Sequence, residues 1–451
     1  MHRVLLVVIA ASLGVADGAQ AASPGNGVRI GDAKLVPSAV VGLEFSSNPY
    51  LAEGGNGESA TVPAFNLMVQ PAARLDSITT PLELHLSADL TARKFLSSTT
   101  TNLDRASDAN AMLKANILPK APVGVMVQDT FFNQNRPSEA RFADRSKGRR
   151  PFITQLHNDT GAFVSVHPGG ALTIDVGGQF VYDNFRTNPG SSFTGQDYLN
   201  SRTSYGPGLN VEWAFFPKTA LVGGFSYDWY NWDKQVINTV GGAVAEFSDP
   251  LLAMPDSRGW RANAGVVGRF TRKLVLNAIV GYGMLTYDTE SVTSVADAYS
   301  SIGELDVSQG WDASVRGKYG VTAIAQLAYT PRKGHTVSAG YIRDYEDSWF
   351  TNFVAYNYAF AKYEGTLSRR FRVSVDGGYR LESYLGHLAR QDHVVRATGY
   401  FTYQPLEWLE ATASVGWRRR AASNLDPSTF AVQSSREYDN IPVSLLFTFR
   451  Y

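Results

Sequence analysis

Ionisable side chains recur at every second position along many segments of this chain, and that spacing limits the chemistry open to them. Arg372, Asp376, Arg380 and Glu382 share one parity, so on an extended strand they project from a single face. Arg396 and Arg418 occupy the same parity in the two following segments, and Arg93 does so after Glu83, His85 and Asp89. The set continues through Lys114, Gln155, His157, Asp159, Asp175, Gln179, Glu212, Asp228, Arg261, Asn263, Arg269, Glu410, Arg420 and Arg450. Both signs of charge are present, and cross-strand pairs of Arg372, Asp376, Arg380 and Glu382 with Arg396 and Arg418 on the neighbouring strands would make a charged wall in the final third of the chain. Such faces select solutes by charge in a watery passage, or keep the passage hydrated as scaffolding.

Bond-making chemistry has little to work with. His85, His157, His167, His335, His387 and His393 form no His-Glu-x-x-His run or other metal-ligand spacing. Gly241-Gly242-Ala243-Val244 lacks the strand-to-helix context and the Gly-Lys-Ser/Thr of a phosphate loop. The expectation is a chain without cofactor, metal or catalytic role. Some outer-membrane barrels are lipases or proteases whose Ser, His and acidic residues sit on the rim, and the missing motif argues against that alternative without removing it.

The elements that carry these residues alternate. From Leu82 to Arg93, Leu82, Leu84, Leu86, Ala88, Leu90 and Ala92 lie on one face, and Glu83, His85, Ser87, Asp89, Thr91 and Arg93 on the other. Ile441, Val443, Leu445, Phe447, Phe449 and Tyr451 repeat the pattern at the end of the chain. In a bilayer every backbone N–H and C=O needs a protein partner, which leaves helices and closed barrels as spanning structures. About eighteen segments pass the alternation test, from 35–46 to 438–451, joined by alternately short and long connections. The fold class expected is all-β: a transmembrane antiparallel up-and-down β-barrel of about eighteen strands with both termini periplasmic.

Short turns are predicted at 118–122, 167–170, 216–219, 270–273, 331–334, 368–370 and 404–407, where Pro or Gly recur. The long connections 133–152, 184–202, 233–258, 288–317 and 421–437 would face outward from the cell. The first holds Arg136, Arg141, Arg145, Lys147, Arg149 and Arg150 against Glu139 and Asp144. This basic patch would bind an anionic polymer or constrict the pore. It would alternatively pair with lipopolysaccharide phosphates, or with the loop holding Asp288, Glu290, Asp297, Glu304, Asp306 and Asp312. Tyr230, Trp232, Tyr356, Tyr358 and Tyr400 either offer aromatic faces to sugar rings or join the interfacial girdle.

Composition agrees. The 451 residues are 44% hydrophobic and 12% aromatic, with no run long enough for an internal membrane helix. The 41 basic residues balance 41 acidic ones, which argues against nucleic acid as a partner. With no cysteine there is no disulfide, thiolate site or acylation site. Residues 1–21 read as a cleaved secretory signal, with His2 and Arg3 before an apolar run and Ala19-Gln20-Ala21 at the cleavage site. Residues 22–34 are then a short periplasmic segment, and 35–451 the outer-membrane barrel.

Two resemblances add to this reading. The terminal strand resembles the one that the barrel-assembly machinery recognises in bacterial outer-membrane proteins. The segment Val41-Gly42-Leu43-Glu44-Phe45-Ser46-Ser47-Asn48-Pro49-Tyr50, followed by the array of hairpins, resembles the outer-membrane β-barrel porin families that often accompany exopolysaccharide biosynthesis genes. The plan is also similar to single-domain exporters of the alginate type. The resemblance implies export of an exopolysaccharide across the outer membrane, with periplasmic export components as partners because the chain has no periplasmic helical-repeat domain. A general or sugar-selective diffusion porin and a surface adhesin with a closed lumen are the alternatives. Residues 23–35 are too short for the plug domain of a nutrient-uptake receptor.

Overall fold

A strand that is apolar on alternate residues buries its backbone only by pairing on both edges, and a sheet of such strands loses its last exposed edges by closing. In the computed structural model this closure is complete. It describes residues 27–48, 63–96, 106–137, 152–187, 201–232, 256–288, 317–347, 353–385, 391–423 and 438–450. The strands are β1 Val28–Ile30, β2 Ala33–Ser46, β3 Ala64–Ile78, β4 Leu82–Phe95, β5 Ala106–Ile117, β6 Val123–Pro137, β7 Phe152–Gly169, β8 Leu172–Thr187, β9 Arg202–Phe216 and β10 Thr219–Trp232. They continue as β11 Ser257–Arg269, β12 Leu274–Tyr287, β13 Gly317–Arg332, β14 His335–Asp347, β15 Phe353–Thr366, β16 Phe371–Leu385, β17 Gln391–Leu406, β18 Leu409–Ser423, β19 Tyr438–Asn440 and β20 Pro442–Arg450.

Each strand from β2 to β18 pairs antiparallel with the next, and β20 closes the ring against β2. β19 and β20 both lie on β18, at Arg418–Arg420 and Leu409–Val415, so they are two pieces of one stave. The barrel is therefore a closed antiparallel one of eighteen staves. The break falls at Ile441, next to Pro442, which has no N–H to give to the ladder.

Two differences from the sequence expectation concern the edges. The ladder begins at Val28 rather than 35, because β1 turns back through Gly31, whose φ of 61° suits glycine, and pairs with Leu35 to Ala33. β20 leaves β2 at Ser38, so β1 fills the edge that β20 does not cover. β6 also runs to Pro137, and Arg136 pairs with Ile153, which puts Arg136 in a strand instead of the basic loop. Arg141, Arg145, Lys147, Arg149 and Arg150 lie outside the described residues, as do 1–26 and Tyr451.

Parity is kept around the ring. Leu43, Leu67, Leu90, Val280, Leu327, Val375, Val415 and Leu445 are exposed on the outer face. Asp129 is an outer-face exception, and its carboxylate accepts from Asn158 Nδ2 at 2.9 Å and from Thr160 Oγ1. The seam has its own clasp. Asn440 Oδ1 accepts from Ser46 Oγ at 2.8 Å and from the Asn48 N–H at 3.1 Å, while Asn48 Nδ2 donates to the Asp439 carbonyl at 3.1 Å. Asn440→Ala is expected to cost about 1–3 kcal/mol by leaving these donors without their acceptor. The measurement is the urea unfolding midpoint of the refolded barrel; an unchanged midpoint would show that the clasp adds nothing to closure.

Candidate functional site: the lumen wall

The inward parity gathers charges into clusters, each spread over several strands. Glu44 on β2 accepts from Asn66 Nδ2 on β3 and Arg93 Nε on β4, both at 2.9 Å. Arg93 then reaches Asp108 on β5. Asp89 accepts from Gln70 Nε2 at 2.8 Å and Asn110 Nδ2 at 2.9 Å, and Asp76 Oδ1 lies 2.7 Å from His85 Nδ1. On β7 to β9, Gln155, His157 and Arg202 converge on Asp183, which is almost wholly buried. Arg261 approaches Asp344 at 3.6 Å and donates to the Tyr345 carbonyl at 2.6 Å.

The last five staves hold the predicted charged wall, but with different pairings. Arg380 and Glu382 do form an ion pair, with Nε to Oε1 at 2.9 Å, and the Arg380 guanidinium lies 4.2 Å from the Tyr356 ring centroid. Glu382 is bound further by Arg420, whose Nε also donates to Asp392 Oδ2 at 2.8 Å, and by the Tyr384 hydroxyl at 2.6 Å. Arg372 is not in this cluster. It pairs with Glu410, which Arg450 also approaches at 3.3 Å. Asp376 faces Lys362 on one side and Thr398 on the other.

Arg396 and Arg418 stand directly opposite each other on β17 and β18. Like charges in that position repel, and each is placed over an aromatic face. The Arg396 guanidinium lies 5.1 Å from the Tyr358 ring centroid and bonds its hydroxyl, and that of Arg418 lies 5.7 Å from the Tyr438 ring. Arg396 is exposed to the lumen. Tyr400, four residues along β17 from Arg396, shares its parity and is exposed as well. This region can attract an anion by charge and stack against a sugar ring. Of the other aromatic candidates, Tyr356 and Trp232 are buried and Tyr230 packs against the cluster of Leu285, Tyr287, Tyr345 and Phe353.

No protein-family model matches the chain, and no curated protein matches it. Among solved structures it is similar to the outer membrane protein OpdK of Pseudomonas aeruginosa, crystallised with vanillate, at 11% identity and a TM-score of 0.44 over 93% of this chain and 99% of that one. It is similar to the FrpB iron transporter of Neisseria meningitidis at 8% identity and a TM-score of 0.45, over 93% of this chain and 81% of that one. A ferric enterobactin receptor of Pseudomonas aeruginosa gives 8% identity and a TM-score of 0.46, over 94% and 82%.

Sequence reading missed one feature of the lumen. Val222, Val267 and Ile279 point inward and are buried together, with Ile324 packed against them. This apolar stripe covers β10 to β13 on the wall away from Arg396 and Arg418. A strand apolar on both faces shows no alternation, so sequence pattern alone cannot tell which face is inside. Among the described residues no group of three or more His, Asp or Glu is placed to hold a metal.

Proposed function

We propose that this barrel is an outer-membrane channel for hydrophilic solutes, and that its cargo is an acidic exopolysaccharide leaving the cell. The observation that carries the reading is the lumen wall from β15 to β18, where Arg396 and Arg418 stand opposite each other, Arg396 over the Tyr358 ring, with Tyr400 exposed on the same face. Paired guanidinium groups concentrate anions, and aromatic faces let sugar rings slide past without a deep binding minimum. An eighteen-strand barrel is wide enough to leave an aqueous channel between such walls. The short turns would face the periplasm and the long connections the exterior. The barrel-assembly machinery, lipopolysaccharide and periplasmic export components are the partners proposed with this reading.

Single-channel conductance of the purified protein in planar bilayers tests it, with an acidic oligosaccharide titrated on either side. Stable anion-preferring conductance that the oligosaccharide blocks is expected. Conductance without block would leave a general diffusion porin. A barrel that inserts but stays silent, even when residues 138–150 are deleted between β6 and β7, would sink the channel and favour a surface adhesin with a closed lumen.

A further inference from the structure

The outer face carries a hydrogen-bonded chain that transport does not use. His393 on β17 opposes Leu381 on β16 and Ala421 on β18, and so shares the parity of Val395, Phe401, Val415 and Trp417. Its Nε2 lies 2.9 Å from Ser423 Oγ, and its Nδ1 lies 2.6 Å from the Tyr379 hydroxyl. Ser423 Oγ is also 3.5 Å from the Gln391 carbonyl, a longer contact than the one to the imidazole. When Nδ1–H donates to the Tyr379 oxygen, Nε2 is left as the acceptor of the serine proton. A hydroxyl, a ring nitrogen to take its proton and a third group to fix the ring are the parts of an activated nucleophile.

Position adds a substrate. Ser423 ends β18 and Gln391 begins β17, so the chain sits at the long-connection end of the barrel. Tyr379 and Trp417 are each 42% exposed on the same face, as aromatic residues are where acyl chains give way to headgroups. Lipid ester carbonyls lie at that depth. Arg419, exposed two residues along β18 from Ala421, offers a cation to a phosphate headgroup.

We infer that Ser423 and His393 form a hydrolytic site for the acyl esters of membrane lipids, with Tyr379 as the residue that positions the imidazole. The inference rests on the reading that the outer face meets lipid, and is independent of the lumen. Ser423 Oγ attacks the ester carbonyl carbon as His393 Nε2 takes its proton. The bond to the leaving alcohol breaks, and that proton passes to the lysolipid. Water then gives a proton to Nε2, attacks the acyl-serine, and releases the fatty acid as the serine recovers its hydrogen. A phenol orients the ring without the negative charge of a carboxylate, so slow turnover is expected.

The test uses the full barrel in vesicles of phosphatidylethanolamine and phosphatidylglycerol, with fatty acid and lysophospholipid measured by mass spectrometry. Equal amounts of both products are expected. Ser423→Ala and His393→Gln should each lower their formation by about 100-fold or more. Tyr379→Phe should lower it less and displace the pH–rate profile, which a purely structural tyrosine would not do. A fluorophosphonate probe should label Ser423 in detergent micelles, where no conduction is needed, so failure here and failure of the channel are read separately. A folded wild-type barrel that takes no label at Ser423, or hydrolysis that persists unchanged in Ser423→Ala, overturns the inference.

Discussion

Arg420→Ala is expected to destabilise the folded barrel by about 3–5 kcal/mol, the range for removing one partner from a buried ion pair. Arg420 is 3% exposed and serves two carboxylates, Glu382 on β16 and Asp392 on β17, of which Asp392 is wholly buried. It also donates to the Tyr384 hydroxyl at 2.7 Å. Removing the guanidinium leaves two like charges in a low-dielectric place without the cation they share, while Glu382 keeps Arg380 and the Tyr384 hydroxyl. The cost then comes from the stranded carboxylates more than from lost attraction. The triple variant Arg420→Met, Glu382→Gln, Asp392→Asn separates these effects. It removes every charge that Arg420 served, and should recover to within about 2 kcal/mol of the wild type. Reversible urea unfolding of the refolded barrel in micelles measures both. A loss below about 1 kcal/mol in the single variant would mean that water already reaches these carboxylates, as for an exposed pair.

How far the sequence shows all this depends on which interaction sets each feature. Leu82 to Arg93 is legible because one face must be apolar and the other polar, and the structure keeps both faces as read. Turns are legible where a dihedral demands a residue, as at Gly170 and Gly334, whose φ values are 67° and 80°. β1 was not legible: three residues carry no period, and they pair only because β20 stops short of them. The members of the charged wall were legible as a set, but their pairing was not. Arg420 finds Asp392 diagonally, since its register partner is Val394, and that offset follows from the twist and stagger of the closed sheet. The segment ending Ser46-Ser47-Asn48 drew attention by resemblance, and the structure gives Ser46 and Asn48 a physical task, closing the first strand on the last. His393 and Ser423 are thirty positions apart and lie in no motif; only the β17–β18 register brings them together.

Reversing Arg396 and Arg418 together to glutamate is expected to change the lumen from anion-preferring to cation-preferring, with the permeability of each ion shifted about tenfold in opposite directions. Each reversal replaces a positive with a negative charge on the wall. A unit charge about 6 Å from a passing ion in water contributes about 0.7 kcal/mol before screening. Four units of change would give nearly 3 kcal/mol unscreened, and salt in the lumen reduces this to somewhat over 1 kcal/mol, or about tenfold. The effect should therefore shrink when reversal potentials are measured in 1 M rather than 0.1 M salt, as the Debye length falls from about 10 to about 3 Å. Arg343 provides the comparison. It faces outward, opposite Ala323 on β13 and Asn357 on β15, and Arg343→Glu should leave selectivity where it was. Arg372 serves less well, because a glutamate there would stand beside Glu410 and lose the contact that Arg372 makes with it. If the double reversal moves the ratio no more than Arg343→Glu does, ions pass along the opposite wall, beside Val222 and Ile279, and the paired arginines have no part in choosing the cargo.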